Sequence, residues 1–318
     1  MNFSNFFNEY GYQPSKGWVG YKKQLEEQKM KTEFHDKFDK GFVPGSPVPE
    51  PPKPKPKAKC LTFTAVEDNS SVGFHYWIGP SSGTIPDLDK NIQYSTDGGE
   101  TWQEYAITNS YQTAQKIVLQ HEGDSVMFKG NNETLYSSDP YGLVKCTLEG
   151  KVAASGDITS LLNGVGGDIP IPERCFSMFF FYENELVTAP NLPSTVLSNY
   201  AYGAMFTNCT SLTEAPELPA KTLASACYQS MFFDCTSLTK APELPAKTLV
   251  NNCYNVMFSG CTSLTEITCL ATDISEENCT YDWLYGVSQT GTFTKAAGMN
   301  AWTTGNNGIP SGWTVENK

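Results

Sequence analysis

From Ala189 to Thr268 the chain nearly repeats itself every 26 residues. Ala215-Pro216-Glu217-Leu218-Pro219-Ala220-Lys221-Thr222-Leu223 returns as Ala241-Pro242-Glu243-Leu244-Pro245-Ala246-Lys247-Thr248-Leu249. Met205-Phe206 returns as Met231-Phe232 and Met257-Phe258, and the run Cys209-Thr210-Ser211-Leu212-Thr213 returns from Cys235 and from Cys261. With a fixed period of this length, each copy can bury its apolar side only against the next, so the segment must stack into a solenoid. In-phase residues then lie above one another, about 4.8 Å apart where they sit on paired strands. The spacing predicts internal ladders of Leu212, Leu238 and Leu264, and of Leu192, Leu218, Leu244 and Leu270. It predicts two cysteine ladders as well, Cys209, Cys235 and Cys261 beside Cys227, Cys253 and Cys279. Phe179-Phe180, Leu186 and Ala189-Pro190-Asn191-Leu192-Pro193 form a worn first copy. Trp283-Leu284 replaces the Met-Phe pair at the far end, as a cap must, with Trp302 and Trp313 placed to cover the last rung.

Upstream, residues 60–165 read as an antiparallel β-sandwich. Leu61–Val66 and Gly73–Ile78 are short apolar runs around a polar turn. Lys116–Gln120 and Ser125–Lys129 flank Glu122-Gly123-Asp124, and Leu143–Leu148 with Lys151–Ala154 predict a hairpin around Glu149-Gly150. Residues 43–59 hold seven prolines, several alternating with lysine, which predicts an extended spacer on the order of 50 Å long. The same composition would also suit a proline-rich ligand. Residues 16–40 predict a helix with a narrow apolar seam, Tyr21, Leu25, Met30, Phe34 and Phe38, too isolated to stand alone. The fold class is therefore mainly β. An anchoring segment with a helix (1–42) and a Pro/Lys-rich linker (43–59) lead to the sandwich (60–165) and a leucine-rich-repeat solenoid with its cap (166–318).

Charge divides along the same lines. Residues 1–59 hold 11 lysines and 7 acids, about +4; residues 60–318 hold 11 basic and 27 acidic groups, about −16, giving the net −12. That balance argues against a nucleic-acid partner, which needs clustered Lys and Arg. No run of 18 apolar residues is present, so no membrane insertion is expected, and Met1–Glu9 lacks the features of a secretory signal. Six of the ten cysteines follow the repeat period, so they read as reduced, buried apolar side chains. No C-x2-C spacing occurs, and no metal or other cofactor is expected.

Chemistry-bearing motifs are few. Ser95-Thr96-Asp97-Gly98-Gly99-Glu100-Thr101-Trp102 resembles the Asp-box of sialidase propellers. Physically it predicts a hairpin in which the Asp carboxylate satisfies turn amides. One copy makes no propeller, and the lone Arg174 cannot supply the arginine cluster such a site needs. His35, His75 and His121 are scattered, and no phosphate-binding glycine loop is present, so no catalytic set is assigned. Phe3, Phe6, Phe7, Tyr10, Tyr12 and Trp18 crowd the N-terminus. They read either as a self-packed segment or as a docking surface that buries its rings in a partner. On the solenoid, Glu214, Glu217, Lys240 and Glu243 are the exposed polar positions where a ligand would bind.

Met257-Phe258-Ser259-Gly260-Cys261-Thr262-Ser263-Leu264-Thr265-Glu266-Ile267 resembles the leucine-rich repeats of the BspA-like bacterial surface family, over residues 175–290. That resemblance implies a role in adhesion or recognition. The overall layout of foot, stalk, β domain and solenoid, read together with no export signal, resembles head fibres and similar appendages of crAss-like phages of gut Bacteroides. It implies a virion protein docked through its N-terminus on capsid or other virion proteins. Such a protein would be a homo-oligomer, with a trimer favoured, and would display the repeat to a host surface protein or glycan. A bacterial cell-surface adhesin is the alternative, and a glycan hydrolase built on the β domain is a third reading, opposed by the missing catalytic set.

Overall fold

A computed structural model of the chain describes residues 59–77, 90–108, 111–138 and 141–318. The anchoring segment 1–42, its helix, and most of the linker 43–59 lie outside the described residues. Lys57–Lys318 form one compact unit of strands and turns, with almost no helix among the described residues.

Its first part is two facing sheets. One holds β1 (Leu61–Ala65), β3 (Ile92–Ser95), β4 (Gln103–Glu104), β6 (Ser125–Gly130), β9 (Val152–Ser155) and β10 (Leu186–Thr188), in the order β10-β9-β1-β6-β3-β4. The other holds β2 (Ser70–Trp77), β5 (Lys116–Leu119), β7 (Tyr136–Ser138) and β8 (Tyr141–Glu149), in the order β5-β2-β8-β7. Alternation places Phe63 and Phe128 on the inner face of the first sheet against Phe74 of the second, and Phe74 lies 4.6 Å from Phe128 by ring centroid.

The tight turns behave differently from expectation. Leu143–Leu148 and Lys151–Ala154 do not form a hairpin: β8 pairs with β2, whereas β9 pairs with β1 in the opposite sheet. The turn at Glu122-Gly123-Asp124 likewise carries the chain from β5 in one sheet to β6 in the other. Both segments have apolar inner faces. Pairing them side by side would leave the opposing sheet uncovered, so the turns arch over the core, helped by positive φ at Gly123 and Gly150.

A short helix α1 (Ser160–Asn163) leads into the solenoid, which has three full coils, 201–226, 227–252 and 253–278, after a first copy at 175–200. The parallel strands β11 (Lys240–Leu244), β12 (Glu266–Cys269), β13 (Thr292–Lys295) and β14 (Thr314–Asn317) form one wall, in that order. The opposite wall has no regular strand. It is a ladder of overlapping turns. Alternate amides bond three residues back within the coil (Met231 N–H to Tyr228 O, 3.2 Å), and the others bond the next coil (Phe232 N–H to Met257 O, 2.9 Å). Every backbone group is thereby used although no residue is in a standard strand.

This ladder has a four-residue beat. Ala226, Ser230 and Asp234 have positive φ, as do Asn252, Val256 and Gly260 one coil later. Two residues then face in and two face out. Cys227, Tyr228, Met231 and Phe232 are buried, whereas Gln229, Ser230, Phe233 and Asp234 face outward and are half-buried.

Inside, the predicted ladders form, and an unpredicted one joins them. Phe180, Phe206, Phe232 and Phe258 stack at 5.4, 5.5 and 5.4 Å with rings within 6° of parallel. Beside them Phe176, Tyr202, Tyr228, Tyr254, Trp283 and Trp302 make a second stack. The cap replaces the Met-Phe backbone position as expected, but the Trp283 ring lands on Tyr254, 6.2 Å away. One expected ladder is corrected. Leu244 pairs with Cys269, and Leu270 is displaced outward to half-exposure. The register slips between Lys240 and Glu243, around Pro242, which has no amide to give to a ladder.

The solenoid and sandwich share a core. Phe180 packs on Phe63 at 6.2 Å and Phe179 on Phe74 at 5.6 Å, while β10 extends the larger sheet by pairing parallel to β9.

Candidate functional site

The N-terminal docking candidates Phe3, Phe6, Phe7, Tyr10, Tyr12 and Trp18 lie outside the described residues. Glu214, Glu217, Lys240 and Glu243 are all exposed, and the solenoid brings them to one wall. Glu214 pairs with Lys240 of the next coil through a parallel backbone bridge, and Lys240 Nζ meets Glu266 Oε2 at 3.0 Å. Glu243 is paired with Lys318. The parallel stacking makes these columns; the alternation of charge along them lets the acids and bases satisfy one another. Such exposed pairs are worth at most about 1 kcal/mol each. Beside them a groove of about 520 Å³ has Leu223, Val250 and Leu270 on its floor and Lys221, Lys247 and Glu243 on its rim. It lies where the register slip pushes Leu270 outward, a feature that counting along the repeat misses.

The Asp97 motif forms the expected hairpin between β3 and β4. Thr101 N–H and Oγ1–H donate to the Asp97 carboxylate at 2.9 and 2.6 Å, and Ser95 Oγ–H donates at 2.8 Å. These bonds hold the carboxyl well below the usual carboxylate range. Trp102 folds back to donate from Nε1 to Gly99 O at 3.1 Å, under Lys129 Nζ 4.0 Å from the ring. Every acceptor of Asp97 is turned to its own turn, a structural use.

The ten cysteines are free and buried. Cys209, Cys235 and Cys261 donate Sγ–H to the carbonyls of Phe180, Phe206 and Phe232 at 3.1, 3.0 and 3.0 Å. Burial pushes their thiols up, to about 12 for Cys235. No group of His, Cys, Asp or Glu among the described residues is arranged to hold a metal ion, and no described helix is long and apolar enough to cross a membrane.

Two features went unread in the sequence. The first is Glu183, which stands 26 residues before Cys209, where later coils have cysteine. It turns toward the sandwich instead, and its Oε2 accepts the Leu148 N–H at 2.9 Å on the side of β8 beyond the end of β7. Phe179 O accepts the Cys146 N–H of the same edge at 2.7 Å. Burial raises the Glu183 carboxyl to about 7, opposed by the Leu148 amide and by Lys145. His75 pairs across β2 and β8 with Lys145, and burial with that neighbouring charge lowers its imidazole to about 4. The second is the outward row of the turn ladder. Most rings among the described residues are hidden, but Tyr281 is 48% and Tyr285 58% exposed there, and Phe233 lies in the same row. The four-residue beat marks both positions as outward, a signal present in the sequence once the turn ladder is known.

Comparison with protein-family models, with curated proteins and with solved structures finds no match to this chain.

Proposed function

We propose that this chain is a structural protein of a phage virion, a head fibre or similar appendage, anchored by its N-terminus and displaying the solenoid to a host surface protein or glycan. What supports the reading is the way the display body is built. Two stacks of rings run the length of the solenoid, and the first rung, Phe180, is packed on Phe63 of the sandwich. Sandwich and solenoid therefore form one stiff element that presents a fixed surface. The leucine-rich-repeat likeness to BspA-like surface proteins belongs to the same proposal, since both are recognition scaffolds. A bacterial cell-surface adhesin is the second reading, favoured by that repeat likeness alone.

Mass spectrometry of purified particles of the encoding phage tests the virion reading: the chain is expected among the structural proteins, and its absence overturns the assignment. Deleting residues 1–42 is expected to release the body from the particle. Retention of the truncated chain refutes the docking role of Phe3, Phe6, Phe7, Tyr10, Tyr12 and Trp18. Labelling of intact bacteria by an antibody to the solenoid, with none on particles, would establish the adhesin instead.

A further inference from the structure

We infer that the outward row of the turn ladder is a binding platform for a neutral, extended β-1,4-linked glycan, with Phe233 and Tyr285 as its stacking rings. This deepens the recognition role proposed above and rests on it.

In-phase outward positions Phe181, Thr207, Phe233, Ser259 and Tyr285 form one column along the solenoid, an aromatic ring alternating with a hydroxyl residue. The backbone links hold the register: Phe206 N–H bonds Met231 O, Asn208 N–H bonds Phe233 O, and Gly260 N–H bonds Tyr285 O, at 2.9, 2.7 and 2.7 Å. Rings thus recur every second coil. The ring stack beside this column rises 5.4 to 5.5 Å per coil, so two coils span ~11 Å, close to the length of a disaccharide. In an extended β-1,4-linked chain successive rings present opposite faces, so the same apolar C–H face returns at every second sugar. A ring under alternate sugars matches that chemistry, because an aromatic face takes the C–H face of a pyranose while its neighbours bond the hydroxyls.

The intervening coils leave a gap between the rings. Thr207 and Ser259 are small and buried, 5% and 4% exposed, and Thr207 Oγ1 donates to Ser230 O at 2.7 Å, so the groups left to meet sugar hydroxyls are their neighbours. Asp234 leans its carboxylate over Gly260, so close that a Cβ there would meet Oδ1 at 1.8 Å. Gln229 and Asn255 flank the same row, with Gln229 Nε2–H donating to Asn255 Oδ1 at 3.5 Å. Tyr281 stands four residues before Tyr285 in the cap and widens the platform at that end. The charged groups of the row are acidic, Asp234 and Asp282, which disfavours an anionic polysaccharide. At the other end, Lys145 Nζ covers Phe181 at 4.9 Å, so the open platform runs from Thr207 to Tyr285.

Calorimetric titration of the full chain with cellohexaose, xylohexaose and mannohexaose is the test, with cellobiose and a hexameric polyuronate as comparisons. At least one neutral hexaose is expected to bind, and at least tenfold more tightly than cellobiose. Tyr285→Ala is expected to weaken it about tenfold, Phe233→Ala/Tyr285→Ala to abolish it, and Tyr285→Phe to restore it. Glu122→Ala, exposed in the sandwich turn between β5 and β6, is expected to leave binding unchanged. Thermal melts of each variant establish that it folds. No binding of any neutral hexaose, or binding unchanged in the folded double variant, overturns the inference. If the chain attaches to host cells and the double variant attaches equally, the platform is wrong and the display role stands. If a hexaose binds through these rings but the chain is absent from particles, the virion reading fails and the platform stands.

Discussion

Replacing Glu183 with Gln should change how stability depends on pH more than it changes stability itself. Glu183 accepts the Leu148 N–H at 2.9 Å on an edge that would otherwise be unpaired. Gln keeps an acceptor at that place and loses the ionisable group. Burial raises the folded-state carboxyl from the usual 4.5 to about 7. Between those values the native state holds more protons than the unfolded state, so this group makes stability fall as pH rises from about 4.5 to 7. The full shift corresponds to ~3 kcal/mol, and the half-buried side chain reduces that to about 1–3 kcal/mol. His75 acts in the opposite direction. Its folded-state value is lowered from 6.5 to about 4 by burial and then by Lys145. The unfolded state holds more protons in that window, so stability rises with pH between about 4 and 6.5. Lys145 lies beside both groups, and the Lys151–Glu185 pair, 2.9 Å apart, sits at the same junction. The wild-type profile should therefore be nearly flat near pH 5–6. Glu183→Gln should expose the His75 slope, with urea-unfolding stability rising by about 1–3 kcal/mol from pH 4.5 to 6.5. A variant profile parallel to the wild type would refute the assignment. Glu183→Ala, which also strips the Leu148 amide of its partner, should cost about 1–3 kcal/mol more than Glu183→Gln at every pH.

Phe232→Ala should cost about 3–5 kcal/mol by chemical denaturation, because the ring is fully buried and stacked on both Phe206 and Phe258; a loss below 1 kcal/mol would mean that the coils relax into the gap. Val256→Asn should raise the melting temperature, since a β-branched residue with φ 57 is strained by about 1–2 kcal/mol where Asn is tolerated. A lower melting temperature would show that packing of the half-buried valine outweighs the backbone term. All ten cysteines should resist a thiol reagent at pH 8 in the native chain and react quickly once unfolded, because they are buried and most have raised thiol values; rapid native labelling of Cys235 or Cys261 would contradict the closed ladder.

The 26-residue period was legible because an interior ladder tolerates almost no variation: Met231, Phe232, Cys235 and Leu238 each sit between copies of themselves. Tyr202, Tyr228 and Tyr254 repeat just as faithfully, and the same count reveals their ladder. What a count along one strand cannot register is a bulge. Pro242 has no amide for the ladder, the pairing slips by one, and Cys269 takes the place that counting gives to Leu270. The sandwich strands were readable as apolar runs, but a short turn between two of them fits a hairpin and an arch equally well. Coverage of the opposing sheet decides between them, and that is a tertiary quantity. Glu183 was invisible for the same reason: its meaning is set by the stretch of β8 beyond β7, 35 residues earlier in the chain.

In a stack of equal units, positions that agree across copies report packing, and specificity must lie where the copies disagree. The outward column shows this, because Phe233 and Tyr285 are separated by the hydroxyl residue Ser259 and their spacing is a parity, two coils. Parity can be altered without altering packing. Duplicating residues 253–278 would insert one more coil whose inward residues, Cys253, Tyr254, Met257 and Phe258, match those already above and below. Stability should hold or rise, since one favourable coil-to-coil interface is added. Tyr285 would then stand three coils from Phe233, and the rings would meet opposite faces of the same extended chain. Neutral hexaose binding should fall about tenfold while the melting temperature does not fall. Undiminished binding in this longer, stable chain would show that the two rings do not act as a spaced pair, and would return the recognition surface to the wall of Glu214, Glu217, Lys240 and Glu243.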